Sequence, residues 1–426
     1  MSFSSLKKTI LDKRTKGIPG STTPFVLEDI LKKGWNILNE DMPMPLMILK
    51  KSNMDYNLST FSKYLKSHNL SIAPHGKTTM APQIFHEQIK QGAWGITAGT
   101  INQVQVMHEY GIKRVLLANQ MVGKSHLKTI SSLINSDKDF QFYCFVDSVD
   151  QFMNMQKGLE CISLNNPIKI LPEIGAMGGR TGIRYEDDLL SLIKKINEDK
   201  SGSFTFSGIS TYEGVIPNIN KGAAPATNFA NKILEIIKKI PTSFYSNLEE
   251  FLITGGGSAH FDIIAERFNT LKLDIPVRIL LRSGCYVTND HLAYFSAQEE
   301  ARKDPLRNWN EKLQPALEAW SYVQSVPESN LAFLTMGKRD IPYDAGLPIP
   351  IKRYRPEVGF LDVGESKIFN TNDQHAYVEL PNGHDWRVGD MICSGISHPC
   401  TAFDKWRFIP VVNDDYDVID GILTFF

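Results

Sequence analysis

Short apolar runs alternate with stretches of helical periodicity between about residues 70 and 283. In one such stretch the apolar residues are Leu189, Leu192, Ile193 and Ile196, a spacing that places them on one face of an α-helix. Isoleucines repeat this spacing in residues 233–240. The runs between the helical stretches are apolar throughout, which is typical of parallel strands that are buried on both faces.

Eight apolar runs predict strands in this region. They are Leu70–Pro74, Trp94–Ala98, Val115–Asn119, Gln141–Asp147, Ile168–Ile174, Thr205–Tyr212, Phe251–Thr254 and Val277–Arg282. Strands that alternate with helices in this number predict an α/β fold, a (β/α)8 TIM barrel over residues 55–290. An open doubly wound sheet has the same element order and stays open as an alternative, because a strand count does not show closure.

The pattern changes after residue 290, where prolines recur and interrupt any long helical periodicity. Runs such as Ala376–Leu380 and Phe408–Val412 indicate strands of an antiparallel β-domain. An earlier apolar run, Leu46–Lys50, precedes the barrel and could add a strand to that domain. We therefore expect a second domain made of residues 1–54 and 291–426.

Composition and charge narrow the classes of function. Lysine and arginine number 46 against 47 aspartate and glutamate, and no run of like charges indicates a nucleic-acid partner. No apolar stretch approaches the roughly 20 residues of a membrane span. The N-terminal segment lacks the apolar core of a secretory signal, and five dispersed cysteines indicate free thiols in a reducing compartment. A cytoplasmic enzyme with a small-molecule substrate is the expectation.

The active site of a barrel lies at the carboxyl ends of its strands, so the residues that follow each strand are informative. Lys77 follows the first predicted strand in a glycine-containing loop, where partial loss of water would make its amine a nucleophile able to form a Schiff base. A solvated loop lysine is the alternative interpretation. Position alone leaves both open.

Three glycines and a serine, Gly255–Ser258, follow the seventh predicted strand. Successive backbone N–H groups without side chains can converge on a phosphate, and the loops after strands seven and eight of barrels often bind one. A tight turn that needs positive φ is the alternative. A Schiff-base lysine and a phosphate site at the same barrel mouth are together what pyridoxal 5'-phosphate (PLP) requires.

His398-Pro399-Cys400 is a candidate metal pair. In an extended segment residues i and i+2 face the same way, so an imidazole and a thiolate could hold one cation, and this donor pair favours Zn²⁺. Two protein ligands leave coordination positions for water or substrate. A buried cysteine beside an exposed histidine is the alternative interpretation.

These motifs together resemble a known family. Pro74–Thr78, Gly92–Thr97, Leu117–Gly123, Gly179–Gly182, Gly255–Ser258 and His398–Cys400 occur in this order in the fold-type III PLP enzymes of the D-serine dehydratase and D-threonine aldolase family. The chain looks closest to the amino acid deaminase, or D-serine deaminase-like, branch. One departure is Thr79-Met80, where better-known members have a histidine soon after the lysine.

The resemblance implies an alanine-racemase-like barrel with a β-domain, as a homodimer whose site is near the subunit interface. It implies that Lys77 is the Schiff-base lysine, that Arg180 is near the phenolic oxygen of PLP, and that Tyr212 lies beside the pyridine ring. The candidate cofactor-binding residues are Lys77, His75, Arg180, Tyr212, Gly256, Gly257, Ser258, Gly284, Cys285 and Tyr286. The candidate metal ligands are His398 and Cys400.

The function expected from these parts is a PLP- and metal-dependent lyase that deaminates β-hydroxy D-amino acids such as D-serine and D-threonine, with Lys77 as general base. Retro-aldol cleavage to glycine and an aldehyde is the main alternative. A racemase or a non-catalytic PLP-binding protein would leave the metal pair without a task, and a PLP-free metallohydrolase would need more histidines at the strand ends. The roles of Glu173 and His375 stay open.

Overall fold

The computed structural model describes residues 3–216, 219, 222–304 and 307–426. The first described elements are α1 (Phe3–Leu6), the antiparallel pair β1 (Ile10–Leu11) and β2 (Phe25–Val26), the buried strand β3 (Leu46–Lys50) and α2 (Lys51–Ser67). Residues 1 and 2 of the predicted N-terminal part lie outside the described residues. Helix α2 leads directly into the first strand of the parallel sheet.

Parallel strands and helices alternate through the following two hundred residues or so. The strands are β4 (Ser71–Ile72), β5 (Ile96–Ala98), β6 (Arg114–Gln120), β7 (Gln141–Val146), β8 (Ile168–Ile174), β9 (Phe204–Phe206), β10 (Gly208–Thr211), β11 (Phe251–Gly255) and β12 (Val277–Leu281). The helices are α3 (Pro82–Lys90), α4 (Ile101–Glu109), α5 (Lys124–Ser136), α6 (Val149–Leu159), α7 (Glu186–Asn197), α8 (Ala224–Lys238) and α9 (Phe261–Phe268). Each predicted strand run overlaps an observed strand.

The sheet curls until its two ends meet. Its strand order is β4-β12-β11-β10-β8-β7-β6-β5, with every pair parallel. The free ends are joined because Trp94 N donates to Ile72 O at 2.8 Å and Thr97 N donates to Pro74 O at 2.9 Å. The predicted (β/α)8 barrel is therefore confirmed, and the open doubly wound sheet is not the fold.

The sixth predicted strand differs from the expectation because it is divided in two. Strand β9 pairs with the first half of β8, and β10 pairs with the end of β8 and with β11. The break falls at Ser207, directly before Gly208, whose φ of +135° is rarely adopted by other residues and whose Cβ would lie 1.9 Å from the Leu252 carbonyl oxygen. The second half of the strand thus begins at a residue without a side chain, where two backbones approach closely.

A helix, α10 (Ala293–Lys303), connects the barrel to a second, mostly antiparallel sheet. Its elements are β13 (Leu317–Glu328), β14 (Leu331–Leu334), β15 (Ile349–Arg355), β16 (Gly359–Leu361), β17 (Lys367–Thr371), β18 (Ala376–Glu379), β19 (Met391–Gly395), α11 (Cys400–Phe403), β20 (Phe408–Val412) and β21 (Val418–Leu423). Strand β3 pairs antiparallel with β13, as the N-terminal run suggested, but parallel with β20. The boundaries at 54/55 and 290/291 stay a prediction.

The interior of the barrel is filled with side chains rather than hollow. These residues are Ala73, Leu116, Tyr143, Phe145, Leu171, Leu252 and Leu280, all nearly inaccessible to solvent. The alternating apolar helix positions noted in the sequence are buried against the outside of the sheet, as shown by Leu189 and Ile193 on α7. No helix among the described residues is long and apolar enough to cross a membrane. The filled interior leaves the strand ends as the place for a site.

Candidate active site

A cavity of about 290 Å³ lies where the carboxyl ends of the barrel strands meet the loop after β19. Ligand pockets typically measure roughly 300–1,000 Å³, so this one suits a small cofactor with a small substrate. The predicted site residues that line it are His75, Lys77, Arg180, Tyr212, Gly257, Ser258, Gly284, Cys285, His398 and Cys400. One chain thus brings the lysine, the glycine loops and the candidate metal pair to one cavity.

Two of the predicted site residues, Tyr286 and Gly256, do not line the cavity. The Tyr286 ring is buried and stacks on Phe61 with ring centres 4.3 Å apart, so it belongs to the packing behind the cavity. Gly256 is buried one residue before the lining begins. His375 is exposed in the loop between β17 and β18 and does not line the cavity.

The lysine loop is a single 3₁₀ turn, Gly76–Thr78, directly after β4. Its position depends on Gly284 after β12, because a Cβ on Gly284 would lie 2.5 Å from Thr78 Oγ1 and 2.6 Å from His75 O. Any larger residue at position 284 would push this turn away. The two loops therefore form one wall of the cavity, with Lys77 open to the cavity and to solvent.

His75 carries an unsatisfied polar atom at this wall. Its Nδ1 is buried and has no hydrogen-bond partner among the described residues. Burial lowers the pKa of His75 well below its ordinary value, and the positive charges of Lys77 and Arg282 lower it further, so the imidazole is neutral. A buried polar atom without a partner is unusual in a folded protein, and no described residue satisfies this one.

Arg180 and Tyr212 lie together on another side of the cavity. The Arg180 guanidinium carbon is 5.5 Å from the centre of the Tyr212 ring, within the range of a cation–π contact. Burial raises the pKa of the Tyr212 hydroxyl, and the neighbouring Glu213 carboxylate raises it further. Tyr212 is therefore a neutral group beside a cation.

The glycine loop after β11 already has an anion on two of its amides. Gly256 N and Gly257 N donate to the two carboxylate oxygens of Glu213, at 3.1 and 2.6 Å. Glu213 is only 1% exposed, and a Cβ on Gly257 would lie 2.9 Å from the Tyr212 ring. The two amides therefore bind an anion, but that anion is the Glu213 carboxylate. The groups that remain open to the cavity are those of Ser258 and of the Gly284–Cys285 turn.

Arg282 is a cavity residue that the sequence reasoning did not select. Its guanidinium is buried and donates to Thr254 Oγ1 at 2.8 Å and to Thr211 O at 2.7 Å. Burial lowers its pKa, and the charges of Glu213 and Glu173 oppose this shift. A charged residue directly after a mostly apolar strand was the available signal.

Glu173, whose role the sequence left open, lines the same cavity. It is 3% exposed, and its Oε2 accepts a hydrogen bond from Gln120 Nε2 at 2.5 Å. This contact joins the ends of β6 and β8. A fixed carboxylate therefore faces the buried cation of Arg282 across the barrel mouth.

His398 and Cys400 come from the loop after β19 and the first residue of α11. The two side chains lie close enough for each to shift the pKa of the other. His398 Nδ1 is 2.7 Å from Asp344 Oδ2, and Asp344 Oδ1 accepts a hydrogen bond from Thr401 Oγ1 at 2.6 Å. A carboxylate on one ring nitrogen leaves Nε2 for another partner, which is how metal-binding histidines are commonly oriented.

The electrostatics of this pair suit a soft divalent cation. Hydrogen bonding from Cys285, and the bond and charge of His398, hold the pKa of the Cys400 thiol well below its ordinary value. The same contact with Cys400, reinforced by Asp344, raises the pKa of His398 to about 9. A thiolate and an imidazole are the donors that Zn²⁺ accepts.

Among the described residues, no third potential ligand completes a metal site with His398 and Cys400. Across residues 3–216, 219, 222–304 and 307–426, no three His, Cys, Asp or Glu side chains are grouped so that they could hold a metal ion. A cation at His398 and Cys400 would therefore keep further coordination positions for water or substrate, as a catalytic rather than a structural zinc does.

Tyr294 and Asp344 are further residues that sequence reasoning missed as site residues. Tyr294 lines the cavity from α10, and its hydroxyl lies close enough to Cys285 to shift the pKa of that thiol. Asp344 lies 54 positions before His398 in the chain. Neither residue stands at a strand end or in a spaced motif, so only the folded chain brings them to the site.

The barrel, the added β-domain and the site at the strand ends define an alanine-racemase-like fold, and comparisons with known proteins agree. Solved structures with this fold include D-threonine aldolase from Filomicrobium marinum, with a TM-score of 0.73 and 22% identity, covering 90% of this chain and 95% of that one. An Ala racemase-like protein from Idiomarina loihiensis has a TM-score of 0.68 and 16% identity, covering 90% and 96%. D-threo-3-hydroxyaspartate dehydratase from Delftia sp. HT23 has a TM-score of 0.67 and 16% identity, covering 92% and 99%.

Sequence comparisons are consistent with these structures. Residues 316–412 match the family model described as "Putative serine dehydratase domain". D-threonine aldolase from Arthrobacter sp. is 23% identical over 235 residues, which is 54% of this chain and 59% of that protein. These findings confirm the resemblance to the fold-type III PLP family of D-serine dehydratases and D-threonine aldolases. The closer resemblance to the deaminase branch stays a prediction.

Proposed function

We propose that this chain is a PLP-dependent lyase that deaminates β-hydroxy D-amino acids to 2-oxo acids and ammonia, with a divalent metal, Zn²⁺ by donor type, at His398 and Cys400. One observation carries the proposal. A single cavity collects a lysine, anion-binding glycine loops and an imidazole–thiolate pair, three features that a PLP- and metal-dependent lyase uses together. The confirmed family resemblance supports it.

Lys77 is the residue proposed to attach PLP, through its Nζ, and afterwards to accept the proton from the substrate Cα. When bound, PLP supplies an electron sink that makes this proton acidic. The Ser258 hydroxyl and the Gly284–Cys285 turn face the position for the phosphate, and Arg180 and Tyr212 supply a cation and a neutral ring beside the cofactor. His75 lines the same cavity as a neutral imidazole.

His398 and Cys400 are proposed to hold the metal where the C-terminal region meets the barrel loops in the cavity, with Asp344 orienting the imidazole. A bound Zn²⁺ supplies Lewis acidity toward a β-hydroxyl group. Tyr294 lines the same cavity as this pair. The substrate would therefore present its amine toward Lys77 and its hydroxyl toward the β-domain.

Retro-aldol cleavage to glycine and an aldehyde is the second candidate. It is favoured by the two similar proteins that are named D-threonine aldolase. The cysteine in the candidate metal pair favours dehydration modestly, because its sulfur suits Zn²⁺ whereas a carboxylate would suit Mn²⁺ better. A racemase or a non-catalytic PLP-binding protein would leave His398 and Cys400 unused.

Product analysis decides between these reactions. The PLP- and zinc-loaded protein is incubated with D-serine and D-threonine, and the products are identified by mass spectrometry. Pyruvate or 2-oxobutyrate with ammonia is the expected result. Glycine with acetaldehyde from D-threonine would establish the aldolase instead, and the enantiomeric amino acid alone would establish a racemase.

The resemblance also leads us to propose a homodimer acting in the cytoplasm. The five free cysteines support a reducing compartment. Light scattering of the purified protein tests the dimer, and a mass near 48.0 kDa, that of one chain, would contradict it.

A further inference from the structure

Two thiols meet in the cavity, and the proposed reaction uses only one of them. Cys285 Sγ and Cys400 Sγ are 3.6 Å apart, although the residues are 115 positions apart in the chain. Cys285 follows the last barrel strand, and Cys400 begins α11 next to the β-domain sheet. The contact therefore joins the barrel and the C-terminal region at the site itself.

We propose that Cys285 and Cys400 form a reversible disulfide, which makes the pair an oxidation site that blocks the metal position. A disulfide needs an S–S distance of about 2.05 Å, so the two sulfurs must approach by about 1.5 Å from the 3.6 Å at which they stand. Both sulfurs lie near Thr78 Oγ1, at 4.0 Å for Cys285 and 3.4 Å for Cys400. These long contacts to sulfur are weak and would yield to a covalent bond.

The pair is placed so that a small oxidant can reach it. Cys400 is half-buried and Cys285 is 4% exposed, and both line the cavity. Of the other cysteines, Cys144 and Cys393 are buried in the sheets and Cys161 is exposed on the surface. Only the pair in the cavity has a second sulfur in contact among the described residues.

The oxidant is a peroxide, and the reaction balances in two steps. The Cys400 thiol reacts with hydrogen peroxide, whose O–O bond breaks, to give a sulfenic acid and one water. The Cys285 thiol then attacks that sulfur, forming the S–S bond and releasing the hydroxyl group with a proton as a second water. Each sulfur is oxidised by one electron, and peroxide accepts two. A dithiol reverses the reaction by thiol–disulfide exchange.

The disulfide has a direct consequence for the metal. A sulfur in a disulfide is no longer a thiolate, and thiolate is the form that binds zinc. Oxidation would therefore remove one of the two proposed ligands and release the metal. This consequence rests on the proposed function, whereas formation of the disulfide does not.

The test uses purified protein carrying Cys161→Ser, which removes the exposed thiol that could otherwise link two chains. The protein, zinc-loaded or metal-free, is treated with hydrogen peroxide, alkylated, and digested without reduction. We expect a cross-linked peptide joining Cys285 to Cys400, lighter than the two thiol peptides by two hydrogen atoms, and its loss after dithiothreitol. Zinc release, followed with a chromophoric chelator, should rise in proportion to the cross-link.

Cys285→Ser is the matched variant, since it keeps the size and polarity of the side chain but cannot form the bond. Its Cys400 should oxidise to sulfinic or sulfonic acid, which dithiothreitol does not reverse. The same irreversible product in the Cys285-containing protein, or two intact thiols after treatment, would overturn the proposal. A cross-link without any zinc binding before oxidation would uphold the disulfide and contradict the metal part of the proposed function instead.

Discussion

Lys77 is the residue on which the proposed chemistry depends, because it is the lysine that opens into the cavity beside the glycine loops. Replacing it with alanine removes the amine that would attach the cofactor. We predict that wild-type protein reduced with borohydride carries PLP covalently on Lys77 and that Lys77→Ala carries none, as measured by peptide mapping. The control is Lys90→Ala, whose exposed amine pairs with Glu87 on helix α3 and should leave labelling unchanged. Covalent PLP in Lys77→Ala would show that another amine is used.

Asp344 is predicted to act through His398 rather than on the substrate. Its carboxylate holds His398 Nδ1 at 2.7 Å and fixes which ring nitrogen faces the cavity. Loss of such a partner typically lowers metal affinity about 10- to 100-fold. We expect this loss in Asp344→Ala and a smaller one in Asp344→Asn, which keeps an acceptor oxygen, by competition with a zinc chelator.

The control for this measurement is Asp373→Asn, because Asp373 is an exposed carboxylate of the β-domain that pairs only loosely with Arg339. It should bind zinc as the wild type does. Wild-type zinc affinity in Asp344→Ala would instead mean that the imidazole is held by its surroundings and not by the carboxylate.

At the scale of elements, the loop after β11 is held by a carboxylate from the loop after β10. Replacing Glu213 with glutamine removes one of the two acceptor oxygens that bind Gly256 N and Gly257 N. A hydrogen bond to a charged group contributes roughly 1.5–3 kcal/mol, so the loop should loosen. We predict that Glu213→Gln lowers PLP affinity about tenfold, the equivalent of about 1.4 kcal/mol, in a fluorescence titration.

Glu213→Gln has a second effect that the same titration separates. The substitution also removes a negative charge near the proposed phosphate position. If PLP binds more tightly to the variant than to the wild type, the carboxylate competes with the phosphate. The claim that Glu213 positions the loop after β11 for PLP would then be wrong.

Gly208 stands directly after the break between β9 and β10. Alanine there would combine a φ of +135° with a Cβ 1.9 Å from the Leu252 carbonyl oxygen. Overpacking and backbone strain together should cost about 2–4 kcal/mol. We predict this loss in the free energy of unfolding of Gly208→Ala, measured by urea denaturation.

The matched control for Gly208→Ala is Gly92→Ala. Gly92 also has a positive φ, +95°, but a Cβ there would meet nothing within 4 Å. Gly92→Ala should lose only the free energy that backbone strain costs, about 1 kcal/mol. Equal losses in both variants would show that the close approach to Leu252 does not matter.

The elements themselves could be predicted from the sequence, since the runs at Ile168–Ile174 and Phe251–Thr254 coincide closely with β8 and β11. Buried parallel strands leave a continuous apolar run, which is a local signal. The break beside Gly208 was not predicted, because it depends on the backbone of Leu252 in the neighbouring strand. The position of a strand can thus be predicted from its own residues, whereas its interruption depends on the neighbouring strand.

The site residues differ in the same way, because some could be selected from the sequence and others could not. Lys77 and the Gly255–Ser258 loop stand at strand ends, so position along the chain was enough to select them. The contacts of Glu213 with Gly257, of Asp344 with His398 and of Cys285 with Cys400 join residues that are 44, 54 and 115 positions apart. Such pairs leave no spacing in the sequence, and only tertiary structure shows them.

For the whole molecule, the barrel supplies the cofactor side of the cavity and the C-terminal region supplies His398 and Cys400, within one chain. The proposed function requires both sides to be loaded at once. A crystal structure of the protein loaded with PLP and Zn²⁺, with diffraction data collected at the zinc absorption edge, tests this directly. We predict continuous density from Lys77 Nζ to PLP and an anomalous peak between His398 and Cys400 in the same cavity. PLP bound elsewhere, or zinc away from this pair, would contradict it.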